Sequence, residues 1–167
     1  MTSEQYLFDP SLIPASFQES LPAGYHIRPL SVLDYNRGVL EVLAVLTTVG
    51  PISKEEFATQ FQYWKKQNDT YYVIVITDAK NQVMAIGSVI IERKLIHQCG
   101  LAGHIEDIAV ASDQQGKKLG LHLINTLTNI AKTAGAYKVI LDCSIENVGF
   151  YEKCGYKNVG AQMKLAF

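Results

Sequence analysis

The chain of 167 residues contains no run of about 18 consecutive apolar residues, so no transmembrane helix is expected. Its first residues lack a basic region followed by an apolar core, which argues against a secretory signal and makes the cytoplasm the expected location. Cysteine is scarce and odd in number, and Cys99, Cys143 and Cys154 show neither metal-type spacing nor a disulfide framework. They read as reduced thiols, and no metal is expected. A surplus of one charge sign is missing as well: a net charge of -1 cannot neutralise a phosphate backbone, so nucleic acid is not an expected partner. There is no Gly-x-x-x-x-Gly-Lys-Ser/Thr loop, no Gly-x-Gly-x-x-Gly after a first strand, no serine nucleophile elbow and no His/Cys cluster. Against these absences stand 48% hydrophobic and 19% charged residues, enough for a buried core in what its length suggests is a single domain.

What the chain does have is concentrated in residues 103–122, Gly-His-Ile-Glu-Asp-Ile-Ala-Val-Ala-Ser-Asp-Gln-Gln-Gly-Lys-Lys-Leu-Gly-Leu-His. An alternating segment, a polar turn with glycine and a helical pattern follow one another, which predicts strand, turn, helix. The N–H groups that open a helix have no partner within it, and the aligned peptide dipoles add positive charge, so such a turn suits a phosphate. Gly116 and Gly120 permit close backbone approach. Lys117 and Lys118 sit where the helix dipole opposes positive charge, which makes more sense facing an anion than facing water. On the strand before the turn, Glu106 and Asp107 are adjacent. A regular strand sends neighbours to opposite faces, so the two share a task only if a bulge re-aims one. Carboxylates in an apolar strand are costly unless paired or functional, and a structural salt bridge is the bland alternative to a site.

The rest of the chain supplies a frame. Residues 1–24 carry Pro10, Pro14 and Pro22 and read as an irregular arm. A short strand over 25–30 precedes a helix over 33–46, whose Val39, Leu40, Leu43 and Leu46 recur at helical spacing. It stops at Thr47-Thr48-Val49-Gly50-Pro51, where Thr47 is either a cap or a ligand for something polar. Ser53 and Glu56 form a capping box for a helix to about residue 67, and Phe57, Phe61 and Trp64 make a stripe that is expected in the core. Two β-branched runs, 71–77 and 83–91, flank a hairpin at 78–82. The second run is apolar on both alternating faces, so it belongs inside a sheet with helices on both sides. Beyond it come Lys94 and His97, either a phosphate grip or a solvated strand end, and a mobile glycine segment at 100–103. A helix over 119–134 follows the turn, then a strand over 137–143 with Asp142 at its C-terminal end. Residues 147–156 read as a short helix stopped by glycine and a return strand, and the alternating residues 162–167 as a last strand. The expected class is α/β, a mixed central sheet of about six to seven strands with helices on both faces.

The turn Gln115-Gly116-Lys117-Lys118-Leu119-Gly120 after a strand, together with Asn-x-x-x-Phe-Tyr-x-x-x-Gly-Tyr from Asn147, resembles the GNAT superfamily of acetyl-CoA-dependent N-acetyltransferases. Four further segments, Val-Leu-Thr-Thr-Val-Gly at 45–50, Ile-Glu-Arg-Lys-Leu-Ile-His at 91–97, Gly-His-Ile-Glu-Asp-Ile-Ala-Val at 103–110 and Tyr-Lys-Val-Ile-Leu-Asp-Cys at 137–143, resemble the eukaryotic glucosamine 6-phosphate N-acetyltransferases. That resemblance implies the GNAT acyl-CoA N-acyltransferase fold in one domain over 25–167. It also implies acetyl transfer from acetyl-CoA to the 2-amino group of glucosamine 6-phosphate, on the route to UDP-N-acetylglucosamine. By similarity, Ile108, Ala109 and Val110 align the pantetheine arm, Gln115, Gly116, Lys117, Lys118, Leu119, Gly120 and Leu121 cradle the pyrophosphate, and Asn147 and Tyr151 complete the cofactor site. Thr47, Lys94, His97, Glu106, Asp107, Tyr137 and Lys138 correspond to the sugar site, with Asp142 near the amine. Tyr151 lies near the thioester sulfur, and Glu106 or the Asp142 region takes the amine proton. A homodimer in which the last strand crosses to the partner is implied too. Two positions depart from the pattern: Lys118 stands at a usual glycine, which a negative φ would accommodate, and Ala166 stands where the relatives commonly carry a phosphate-binding arginine. The alternatives are a GNAT enzyme for another small primary amine, a non-catalytic acetyl-CoA-binding module, or a purely structural domain.

Overall fold

A computed structural model describes residues 4–167; residues 1–3 of the expected arm lie outside the described residues. Prolines keep the start of the chain in short pieces, a 3-10 turn at Pro10–Leu12 and helix α1 (Ala15–Glu19), before strand β1 (His26–Pro29). The helix expected over 33–46 is broken in two, a 3-10 helix at Val32–Arg37 and α2 (Val39–Leu43). Gly38 between them takes a φ of 86°, which ends the first piece in a left-handed cap. Asp34 of that first piece is fully buried and accepts from Ser31 N at 2.7 Å and from the two terminal nitrogens of Arg28 at 2.9 and 2.7 Å. Removing one partner of such a buried pair costs about 3–5 kcal/mol, so this corner is firmly pinned. The Ser53–Glu56 capping box opens α3 (Lys54–Lys66), and Phe61 at the centre of its aromatic stripe is wholly buried.

The hairpin strands β2 (Tyr71–Thr77) and β3 (Val83–Arg93) follow, their turn tied by Asp78 Oδ1, which accepts from the N–H groups of Lys80 and Gln82 at 2.9 Å. A single turn, α4 (Ile96–Cys99), leads into β4 (Leu101–Val110); then come α5 (Leu119–Thr133), β5 (Ala136–Ile140) and α6 (Val148–Lys153). The five strands lie in the order β1-β2-β3-β4-β5, every pair antiparallel except β4 and β5, which are parallel. Leu119, Leu123, Leu127 and Ile130 of α5 are buried against one face of β3 and β4, while α2 covers the other face with α3 beside it. Residues 100–103, expected as mobile, instead lead into and begin β4. Gly103 pairs with Ile91, and a Cβ there would lie 2.9 Å from the Ala131 methyl of α5, so the absent side chain sets how closely helix and sheet approach.

The mixed α/β class is as expected, but among the described residues the sheet has five strands rather than six or seven. Among the described residues neither the segment expected as a return strand after residue 154 nor the alternating end at 162–167 pairs with a strand, and Val159, Met163, Leu165 and Phe167 are exposed. Alternation describes a chain that fits a sheet, and pairing also needs a strand within reach whose backbone groups are free. β5 stops at Ile140 rather than 143, so Asp142 and Cys143 fall just past its end.

Candidate active site

β3 runs beside β4 as far as Val110, whereas β5 pairs with β4 only from Leu101 to His104. From residue 105 to 110, β4 therefore has one edge open. Ile108, Ala109 and Val110 lie on that open edge, and an extended chain with amide groups can pair there. The two carboxylates sit at its mouth, and the bulge that their adjacency demands is present. Glu106 faces Ser88 and Ala109 faces Ile86, which leaves Asp107 and Ile108 both opposite Gly87, with Asp107 at a φ of 53°. Gly87 is required by this geometry, since a Cβ on it would lie 2.4 Å from Ile108 Cδ1. Glu106 ends half-buried and Asp107 exposed.

The turn leaving β4 has the expected character. Gly116 takes a φ of 86° with nothing within 4 Å of the place a side chain would occupy. The first helical bond after the turn runs from His122 N to Lys118 O at 3.2 Å, so the N–H groups of Leu119, Gly120 and Leu121 have no partner within the helix. A concave turn of free N–H groups fits a diphosphate. Lys118 differs from expectation: it does not take a negative φ but sits at 61°, a left-handed conformation that costs a side-chain-bearing residue roughly 1–2 kcal/mol. Lys117 does not swing free over the turn, because its ammonium donates to Tyr25 Oη and Gln114 Oε1, each at 2.9 Å. Gln115 leads into the turn in an extended conformation. Asn147 opens α6, which abuts the turn through Phe150, 3.7 Å from the Cβ position of Gly120.

Tyr151 of α6 is half-buried between Phe150 and Tyr156, with ring centroids 5.0 and 6.3 Å away. Burial pushes its phenol above the usual range, helped by the neighbouring Cys143, Cys154, Asp142 and Tyr156, and its hydroxyl has no hydrogen-bond partner among the described residues. Burial also raises the Glu106 carboxyl, with the charges of Asp142 and Asp107 adding to the effect and His104 opposing it. Asp142 thus acts on both groups. Its own carboxylate accepts from Gln162 of the tail at 2.6 Å.

A second group gathers nearer the start of β4. The His97 ring lies 4.2 Å from that of Tyr137, and Lys138 Nζ is 5.6 Å from the same ring. His97 and the following Gln98 and Cys99 are all left-handed. Lys94 donates to Glu92 at 2.9 Å, and the other Glu92 oxygen lies 2.6 Å from His104 Nε2. Those two contacts hold the Glu92 carboxyl below its usual range. Lys138 pairs with Ala102, four residues short of Glu106, so the two groups are roughly 13 Å apart along the strand. Thr47 is exposed past the end of α2, and Ala166 lies in the exposed tail. Glu92, His104, Gln114 and Tyr25 are not among the site residues expected from the sequence. His104 had a signal, since it shares a strand face with Glu106 at a spacing of two; Gln114 and Tyr25 had none. Among the described residues no group of three His, Cys, Asp or Glu could hold a metal ion, and no helix is long and apolar enough to cross a membrane.

A mixed sheet that splays between two parallel strands, with an N–H-lined turn at the foot of the opening, defines an N-acetyltransferase of the GNAT kind, and residues 31–156 match the family described as "Acetyltransferase (GNAT) family". The glucosamine 6-phosphate N-acetyltransferase of Candida albicans is 54% identical over 147 residues, covering 88% of this chain and 99% of that protein. Glucosamine 6-phosphate N-acetyltransferase 1 of Dictyostelium discoideum is 47% identical, covering 85% and 90%. The crystal structure of the Arabidopsis thaliana enzyme of the same name superposes with a TM-score of 0.84 at 42% identity, covering 86% of this chain and 98% of that one. The chain belongs to the glucosamine 6-phosphate N-acetyltransferases, within the GNAT family.

Proposed function

We propose that this protein transfers the acetyl group of acetyl-CoA to the 2-amino group of D-glucosamine 6-phosphate, giving N-acetyl-D-glucosamine 6-phosphate and CoA on the route to UDP-N-acetylglucosamine. The observation that carries the reading is the edge of β4 left open beyond His104, with half-buried Glu106 at its mouth; burial raises Glu106 and Tyr151, and the charge of Asp142 adds to both. An amine attacks only when neutral, and a carboxylate with a raised pKa is the better proton acceptor. Glu106, directly or through a water, takes the amine proton; burial keeps it basic, and Asp142, tied to Gln162, adds its charge.

The amine nitrogen bonds to the acetyl carbon as the carbon–sulfur bond breaks, in a single complex holding both substrates. Holding the reactants together supplies much of the rate, and backbone N–H groups at the bulge by Asp107 and Ile108 are suited to the developing oxyanion. Tyr151 stays protonated and donates to the departing sulfur, and the amine proton leaves through Glu106 to solvent. No acyl-enzyme and no metal are needed. The open edge at Ile108, Ala109 and Val110 takes the pantetheine amides. Gln115 to Leu121 take the diphosphate, with Asn147 beside them. Lys94, His97, Tyr137 and Lys138 hold the sugar phosphate, Asp107 and Thr47 contact the sugar, and no arginine is needed at Ala166.

The active form is a cytoplasmic homodimer, without nucleic acid as a partner. The free edge of β5 and the exposed, alternating Val159, Met163, Leu165 and Phe167 support strand exchange between two copies. A thiol-release assay with acetyl-CoA and a panel of amines tests the reaction. Glucosamine 6-phosphate should be preferred well over glucosamine; equal use of the two overturns the substrate assignment. Light scattering should give twice the chain mass, and a monomer that is fully active removes the dimer.

A further inference from the structure

The proline-rich arm, which carries no chemistry in its sequence, closes on the donor turn at two points. Ser20 Oγ lies 3.3 Å from His122 Nδ1 in the first turn of α5. Tyr25, immediately before β1, donates its hydroxyl proton to Gln114 Oε1. Lys117 Nζ donates to both of those oxygens at 2.9 Å and stands 5.5 Å from the Tyr25 ring centroid. Tyr25 is itself fixed from behind. Its carbonyl accepts from Gln18 Nε2 at 2.8 Å, and Gln18 Oε1 accepts from Ile27 N at 2.9 Å, so Gln18 of helix α1 grips the backbone that leads from Tyr25 into β1.

We propose that Tyr25 is a positioning residue of the donor site: its hydroxyl, shared with Gln114, fixes Lys117 as a cation at the flank of the Gly116–Gly120 turn, ready for the phosphates of an acyl-CoA. An ammonium has three N–H donors; two are engaged here, which leaves one for a phosphate oxygen. The tether also explains why a lysine is tolerated one position from a strained residue at the positive end of a helix. A free lysine would surrender its rotamer freedom when the donor arrives, and a tethered one has already done so. The arm is therefore part of the donor site, reached through α1, Gln18 and Tyr25. This inference rests on the acetyl-CoA reading given above.

The test is a double-mutant cycle on CoA binding, measured by calorimetry on the whole chain without sugar, using Tyr25→Phe, Lys117→Gln and the pair. Tyr25→Phe keeps the ring and removes only the hydroxyl. It should weaken CoA by roughly three- to tenfold. In the Lys117→Gln background it should add nothing further. In turnover the Tyr25→Phe change should appear in KM for acetyl-CoA, with KM for the sugar and kcat at saturating donor unmoved. A dissociation constant within about twofold of the parent, or two effects that multiply, overturns the proposal. A parent protein that binds CoA but does not acetylate glucosamine 6-phosphate overturns the reaction assignment instead, and the binding cycle still decides the role of Tyr25.

Discussion

Tyr151→Phe separates the acid role of Tyr151 from its packing role, because the hydroxyl has no hydrogen-bond partner among the described residues and the ring contacts to Phe150 and Tyr156 survive the change. The unfolding midpoint should not move. General acid catalysis contributes about 10²–10⁴-fold. Here the low end applies, for a reason that can be worked through. An ordinary phenol has a pKa of about 10 against about 8.5 for a cysteine-like thiol, and burial moves Tyr151 further up, so full proton transfer to a free thiolate runs uphill. The hydroxyl helps chiefly by a hydrogen bond that strengthens as the carbon–sulfur bond breaks. The expected loss in kcat is about 10²-fold, or roughly 2.7 kcal/mol of barrier. Thiol release at saturating concentrations of both substrates measures the rate, and calorimetry with acetyl-CoA measures donor affinity, which should stay within about twofold. A kcat within about threefold of the parent, or a fall in affinity as large as the fall in rate, refutes the assignment of Tyr151 as the acid.

Three further outcomes follow from the geometry. Glu106 is raised by burial and then by Asp142 and Asp107; a base works when deprotonated, so kcat/KM falls as pH drops through that raised pKa. Asp142→Asn removes one raising charge, so the acid limb of the pH profile should move to lower pH whatever happens to the absolute rate, and an unmoved limb contradicts it. Gly103→Ala forces a methyl to 2.9 Å from Ala131 and 3.3 Å from both Val89 and Val139, and should destabilise by about 1–3 kcal/mol in urea unfolding. Gly149→Ala in α6, with nothing within 4 Å, should instead stabilise slightly, and like signs for the two would discredit the packing argument. Lys118→Gly relieves a left-handed side chain, so the thermal midpoint should rise while CoA binding weakens; a lower midpoint would show that Lys118 is not strained.

The strand, turn and helix across 103–122 are legible in the sequence because the apolar period switches from two to 3.6 at a glycine-containing polar turn, and both patterns are local. The bulge is half legible: adjacent carboxylates raise the question, but only the pairing of β4 with β3, which depends on Gly87 some twenty residues earlier, answers it. The break at Gly38 is hidden, since Val39, Leu40 and Leu43 keep helical spacing after it and the apolar pattern carries no record of a single φ. Lys117 shows its charge in the sequence, but not its tether. Its partner Tyr25 is 92 residues away, and a hydrogen bond at that separation leaves no periodic trace. The tail misleads for a related reason, since alternation reports a chain's fitness for a sheet and not whether a neighbour lies within reach.

The early stop of β5 has one more consequence. Six residues of β4, from 105 to 110, present an edge of roughly 20 Å that none of the described residues fills. On the proposed seating of the donor's amides there, acetyl-CoA adds a temporary strand beside β4 while the enzyme is at work. Amide hydrogens along that edge should then exchange freely with solvent in the resting protein and become protected on addition of CoA. The fold would thus report its own occupancy through its backbone, without any helix or loop having to move.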